Sequence, residues 1–232
     1  DRLEAAKDVA AAFINGRRND NIGIVEFAAE GFTLCPMTTD HNILLNQLKD
    51  VQCGVLQDGT AIGVGLATAI NRIKDGQAKS KTIILLTDGS NNGGQVSPAM
   101  AAEIAAAYGI RVYTIGVGTR GLAPYPQRTP YGTIVMQQVQ VDIDENTLKQ
   151  IAATTGGEYF RAIDENTLEK VFEEIDKLEK EVAIVKKEKK DLQNEVSLLN
   201  DDDYVTRYAR ENYVFTKDGE QVVILPDIDQ EK

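Results

Sequence analysis

Histidine, cysteine and positive charge are all scarce in this chain of 232 residues. It has one His, two Cys, and 25 Lys plus Arg against 36 Asp plus Glu, a formal net charge of −11. Cys35 and Cys53 are too few for a disulfide framework and read as a pair of buried thiols. His41, in TTDHN at a helix start, reads as a surface or capping residue, and no nucleophile–base pair stands out around it. The acidic balance repels phosphate backbones and anionic lipid, which argues against non-specific nucleic-acid or membrane-surface binding. No apolar run approaches the ~18 residues of a bilayer span. No signal peptide is present and the first residue is Asp1, so the chain reads as a fragment or a processed piece. Hydrophobic residues at 42% still allow a buried core.

Helical and extended patterns alternate up to about residue 180. Residues 1–15 carry Leu3, Ala6, Val9, Ala10 and Phe13 on one helical face, with Gly16 as the stop. NIGIVEFA is a strand, with FTLC its short partner, and helices follow over about 41–48 and 61–74. KTIILLTDG is nearly all apolar, the pattern of a strand covered on both faces. Ser97-Pro98 opens a helix that stops at Gly109, and IRVYTIGVG is the next buried strand. Strands alternating with helices of this length predict an α/β domain with a doubly wound, mostly parallel sheet.

Three segments depart from that rhythm. Residues 119–132 (TRGLAPYPQRTPYG) hold three of the six prolines and no regular period, which predicts an irregular loop, for recognition or as decoration. IDENTL occurs at 143–148 and again at 163–168, each at a strand-to-helix handover where Asp144 or Asp164 would cap the first turn. From Val171 the residues Ile175, Leu178, Val182, Val185, Lys189, Leu192, Val196 and Leu199 follow at alternating spacings of four and three, a heptad seam. A helix over 166–199 would run roughly 50 Å, so its far half needs a partner. Lys189 must snorkel out of that seam, which points to a dimer-like or heteromeric register. The last 32 residues read as a short helix bearing Tyr204 and Tyr208, then two extended pieces, 213–216 and 221–225, about a turn. So small a unit needs another surface to dock on.

Two oxygen donors carry the chemistry. Thr60 lies in QDGTAIGVGL just before a helix, and Asp88 follows the apolar strand in ILLTDGSNNGG. Both would sit at the C-terminal edge of the sheet, where open α/β sheets bind ligands. A hydroxyl and a carboxylate suit a hard cation, Mg²⁺ or Mn²⁺, that keeps positions open for water or a partner's acid. An N-cap role for Thr60 and a turn role for Asp88 account for the same residues. Asp88 is a poor phosphatase nucleophile, because Ser90 stands where the usual acid would be. The two GVG tripeptides do not extend to a dinucleotide-binding fingerprint.

RLEAAKDVAAAFI, NIGIVEFA, LQDGTAIGVGLATAI, KTIILLTDGSNNGG, YGIRVYTIGVGT with its APYPQ stretch, and IAATTGGEYFRA together resemble a von Willebrand factor A domain of the bacterial aerotolerance (Bat) type. The resemblance covers residues 1 to about 180. It implies a metal-ion-dependent adhesion site with Thr60 and Asp88 as two ligands. The family's first ligands, an Asp-x-Ser-x-Ser stretch, end a central strand that would precede Asp1. Either residues before Asp1 are left off, or the domain lacks that strand; as a minor alternative, residues 221–229 (QVVILPDID) fill its place. Residues from about 191 onward, with the heptads, Tyr204, Ala209-Arg210, Tyr213, Lys217 and Gly219-Glu220, resemble the end of a septum-formation initiator (FtsB/DivIC-like) division protein. Such proteins pair through coiled coils with other division proteins.

The expected organisation is therefore a von Willebrand A-type domain over 1–178, a coiled coil over 179–200 and a small tail over 201–232, joined as a deliberate helix-to-helix fusion. The expected activity is non-enzymatic protein binding, with partner contacts at Tyr125, Tyr131, Leu192, Val196, Leu199, Tyr204, Arg210 and Tyr213. The alternative is a coiled-coil assembly or division scaffold with the globular part as a passive carrier. Both parent families imply the bacterial inner membrane, and this chain a soluble piece of them.

Overall fold

The runs of β-branched and aliphatic residues TIILLT (Thr82–Thr87) and RVYTIGV (Arg111–Val117) form two strands that pair in parallel. In a computed structural model, residues 2–17, 19–52, 55–78, 80–117, 121–128, 134–141 and 143–213 are described. The elements run α1 (Arg2–Gly16), β1 (Ile22–Phe27), β2 (Gly31–Thr38), α2 (His41–Lys49), α3 (Ile62–Ile73), β3 (Thr82–Thr87), α4 (Pro98–Ala107) and β4 (Arg111–Val117). They continue β5 (Gly121–Arg128), β6 (Ile134–Val141), α5 (Glu145–Thr155), β7 (Tyr159–Ala162), α6 (Glu165–Leu199) and α7 (Asp202–Tyr213). The chain forms two compact units, residues 1–177 and 178–232.

β3 pairs with β4 in parallel, from Thr82 opposite Arg111 to Thr87 opposite Gly116. β4 pairs in parallel with β7, from Thr114 opposite Tyr159 to Val117 opposite Ala162. The strands are joined by helices, as parallel pairing requires. β1 and β2 form a separate antiparallel pair, irregular between Ile22 and Val25. Among the described residues the two sheets are not hydrogen-bonded to each other. α3 serves both: Ile62, Leu66 and Ile70 bury against Leu85 of β3, and Phe27 of β1 packs on the same cluster. Gly65 makes this possible, since a Cβ there would sit 2.6 Å from the Phe27 ring. A second apolar cluster joins Ile14, Leu44 and Leu48 with Cys35, whose thiol pKa burial pushes up. Cys53 lies outside the described residues.

Capping explains the repeated hexapeptide. The Thr147 N–H donates to Asp144 Oδ1 at 3.0 Å and its hydroxyl to Oδ2 at 2.5 Å. The Thr167 N–H and hydroxyl both donate to Asp164 Oδ1, at 2.8 and 2.5 Å. The Thr hydroxyls, then the backbone N–H groups, hold both carboxyls below their ordinary 3.8. The Ser97 cap and Pro98 start of α4 are also as expected.

The proline-rich segment is not an irregular loop. Residues 121–128 form β5, paired antiparallel with β6 from Gly121 opposite Val141 to Arg128 opposite Ile134. Pro124 and Pro126 are two residues apart, so their missing N–H groups fall on one edge of β5, and among the described residues β5 pairs with β6 alone. Composition pointed to a loop because proline is costly only inside a sheet. At the other end, Tyr213 closes α7 instead of opening an extended piece. Residues 214–232, including 221–229, lie outside the described part.

Candidate site at the ends of β3 and the 57–62 loop

Asp88 follows the last residue of β3 and is exposed, while Thr60 lies two residues before α3 and is half-buried. The loop carrying Thr60 is tied down on two sides. Towards β1, the Ala61 N–H donates to Ala28 O at 2.7 Å and the Ala29 N–H to Gln57 O at 3.1 Å. Gly59 turns between these bonds at φ 143°, where its would-be Cβ meets Ala29 at 3.2 Å. Towards β3, the Thr60 N–H donates to Asn92 Oδ1 at 2.8 Å and the Asn92 N–H donates to Thr60 O at 2.9 Å. The Ile62 N–H donates to Asn91 Oδ1 at 2.9 Å.

Thr60 is thus not the cap of α3. Ala61 holds the N-cap position with no side-chain bond, and Asn91 supplies the missing acceptor from another loop. Close packing completes the arrangement, because a Cβ at Gly63 would lie 2.1 Å from Val96 O. A Cβ built at Gly89 would lie 3.1 Å from Thr60 Oγ1, so the hydroxyl sits against the residue that follows Asp88. Below, Thr87 is buried and its hydroxyl accepts from the Gly89 N–H at 3.3 Å, shaping the exit of β3.

The predicted pair is therefore brought to one edge of the sheet. The pair of asparagines that holds it there was not singled out from the sequence. The signal was present as two consecutive Asn after TDGS, side chains that readily bond to loop backbone. Among the described residues no three His, Cys, Asp or Glu cluster as a metal site. The donor set is instead one hydroxyl beside one carboxylate-bearing loop, chemistry that fits a hard, largely hydrated cation and not a soft one. His41 has no part in it, its Nε2 lying 3.1 Å from Asp20 O.

The other predicted contact residues divide by place. Tyr125 lies in β5, and Tyr131 lies outside the described residues. Leu192, Val196 and Leu199 are on α6, 61%, 58% and 50% exposed. Tyr204 and Arg210 are on α7 and Tyr213 ends it; Tyr204 stacks on Tyr208 with ring centroids 6.1 Å apart, and the Arg207 guanidinium lies 5.7 Å from the Tyr204 ring. The Asp203 and Tyr204 N–H groups donate to Asp201 Oδ1 at 3.0 and 3.1 Å, starting that helix.

Residues 2–174 match the von Willebrand factor type A domain model. The chain belongs to that family. Residues 162–228 match the septum formation initiator model, and the two matches overlap where β7 leads into α6. An aerotolerance-related membrane protein of Bacteroides fragilis is 27% identical over 74% of this chain and 86% of that one, with a TM-score of 0.62. The BatB protein of Bacteroides thetaiotaomicron is 28% identical over 77% and 88%, with a TM-score of 0.64. Among curated relatives, an uncharacterized protein of Borreliella burgdorferi is 28% identical over 85% of this chain, and a UPF0353 protein of Nocardia farcinica 28% over 78%. The chain spans 59% and 57% of those two, under two thirds of their length. None of the described helices is long and apolar enough to cross a membrane.

Proposed function

We propose that this von Willebrand A-type chain is a non-catalytic protein-binding module whose first unit engages its partner through a divalent cation, Mg²⁺ or Mn²⁺, held by Thr60 and Asp88. The observation behind this reading is the pair of asparagines that bond the Thr60 and Ile62 N–H groups, in a loop whose Thr60 hydroxyl lies beside Gly89, the residue after Asp88. When bound, the cation would offer an open position to an acidic group of the partner. The residues of the chain do the rest. Asn91 and Asn92 hold the backbone of the Thr60 loop, Gly63 lets α3 approach, and β5, with Tyr125, and Tyr131 would extend the contact. Mn²⁺ titration of the intact chain tests this directly: one ion should bind, and Asp88→Ala should abolish it. Uptake unchanged in Asp88→Ala would overturn the assignment.

The second reading makes residues 179–200 a coiled-coil assembly surface, the first unit its carrier, and the 201–232 tail a further contact through Tyr204, Arg210 and Tyr213. The exposed apolar row on α6 favours it. On this reading the two family regions are fused helix to helix, and the parent context is the bacterial inner membrane and its division machinery.

A further inference from the structure

On α6, Leu178, Val185, Leu192 and Leu199 occupy one seam position and Val182, Lys189 and Val196 the other. Val185, Leu192, Val196 and Leu199 are all at least half exposed. A shallow groove of about 410 Å³ runs along this row, lined by Val185, Glu188, Lys189, Leu192, Gln193 and Val196. Every lining residue is a core or flanking position of the heptad, the set of positions that receives a partner's knobs in a coiled coil.

We infer that this groove takes a second copy of the same helix, in parallel and in register. This rests on the second functional reading and names its partner. Three features of the stripe select this occupant. β-branched residues at two of the three positions of one core row (Val182 and Val196, with Lys189 between) and Leu at three of the four of the other (Leu178, Leu192 and Leu199, with Val185 the exception) favour two parallel strands over three or four. The flanking position before Val182, Lys189 and Val196 is glutamate each time, at Glu181, Glu188 and Glu195. In an antiparallel pair these glutamates would face one another, like charge against like. In a parallel pair Glu181 meets Lys186 of the other copy, and Lys189, which lies opposite its own counterpart across the seam, is relieved of that repulsion as each ammonium snorkels out to Glu188 of the other copy. The stripe of 22 residues spans roughly 33 Å, about three heptads, so pairing is weak and concentration-dependent.

Analytical ultracentrifugation of the full chain over about 1–300 µM tests this. The mass should rise from 25.4 kDa towards twice that value. Leu192→Asp with Val196→Asp should hold it at the monomer while unit 1 melts as before. Glu181→Lys alone and Lys186→Glu alone should each weaken pairing about tenfold, and the two together should restore it. A monomer throughout the range, or a dimer indifferent to both charge reversals, overturns the inference. Adding a peptide of residues 178–200 with lysine at its 179 and 193 positions separates the two failures. A monomeric chain that binds this peptide removes self-pairing and keeps the assembly reading, and one that does not removes both.

Discussion

The two halves of α6 carry one repeat and meet opposite fates. In the first half Leu168, Val171, Phe172 and Ile175 are buried, with the Phe172 ring 5.0 Å from Phe13 and Asp176 paired to Arg17 at 2.9 Å. In the second half the same spacing places Val185, Leu192 and Val196 in solvent. A seam of this kind records only that a helix has an apolar face. The turns up to Lys177 belong to unit 1, and those buried residues are part of its core.

The sharpest way to break the comparison is to cut one side chain from each half. Ile175→Ala, at a fully buried position, should destabilise unit 1 by about 3 kcal/mol in denaturant unfolding, from lost transfer energy plus a cavity. Equal stability would mean that α6 does not belong to that core. Within unit 1, Gly63→Ala drives a methyl into the Val96 carbonyl and should cost about 2 kcal/mol while reducing Mn²⁺ uptake. Asn92→Ala leaves the Thr60 N–H without its acceptor. It should cost about 1 kcal/mol and weaken Mn²⁺ binding roughly tenfold, measured by calorimetry.

The twin caps give a finer contrast. Asp144→Ala should cost about 1 kcal/mol at neutral pH. The native Asp144 carboxyl titrates below 3.8, so this stability is present above that pH and lost as the pH falls through the depressed native value. Wild-type and variant melting curves should therefore converge in acid; a gap that persists there would rule out the charged cap. Smallest of all, Leu192→Ala at low concentration should change monomer unfolding by less than about 0.5 kcal/mol, as a surface residue would. A larger loss would show that the second half is already packed on something.

Local chemistry made much of this legible. Apolar strands, a Pro-first helix start and paired Asp caps are decided by neighbours in sequence, and Ser97-Pro98 and both IDENTL segments behave accordingly. The corner bearing Thr60 and Asp88 was legible because a strand end and a helix start converge at one edge of a parallel sheet. Asn91 and Asn92 were not, since their acceptors serve backbone some 30 residues away. Nor was the pairing of β5, where two prolines on one edge hid a strand that composition alone reads as a loop.

Sequence alone determined the α/β alternation, the caps, the acidic balance and the apolar repeat of α6, because each follows from residue type and spacing. Tertiary structure decided how those features are placed. It chose which turns of α6 enter the core, tied the loop of Thr60 to Asn91 and Asn92 beside Gly89, and paired β5 with β6. These outcomes depend on which surfaces meet, and burial and long-range hydrogen bonds exist only once the chain has brought them together.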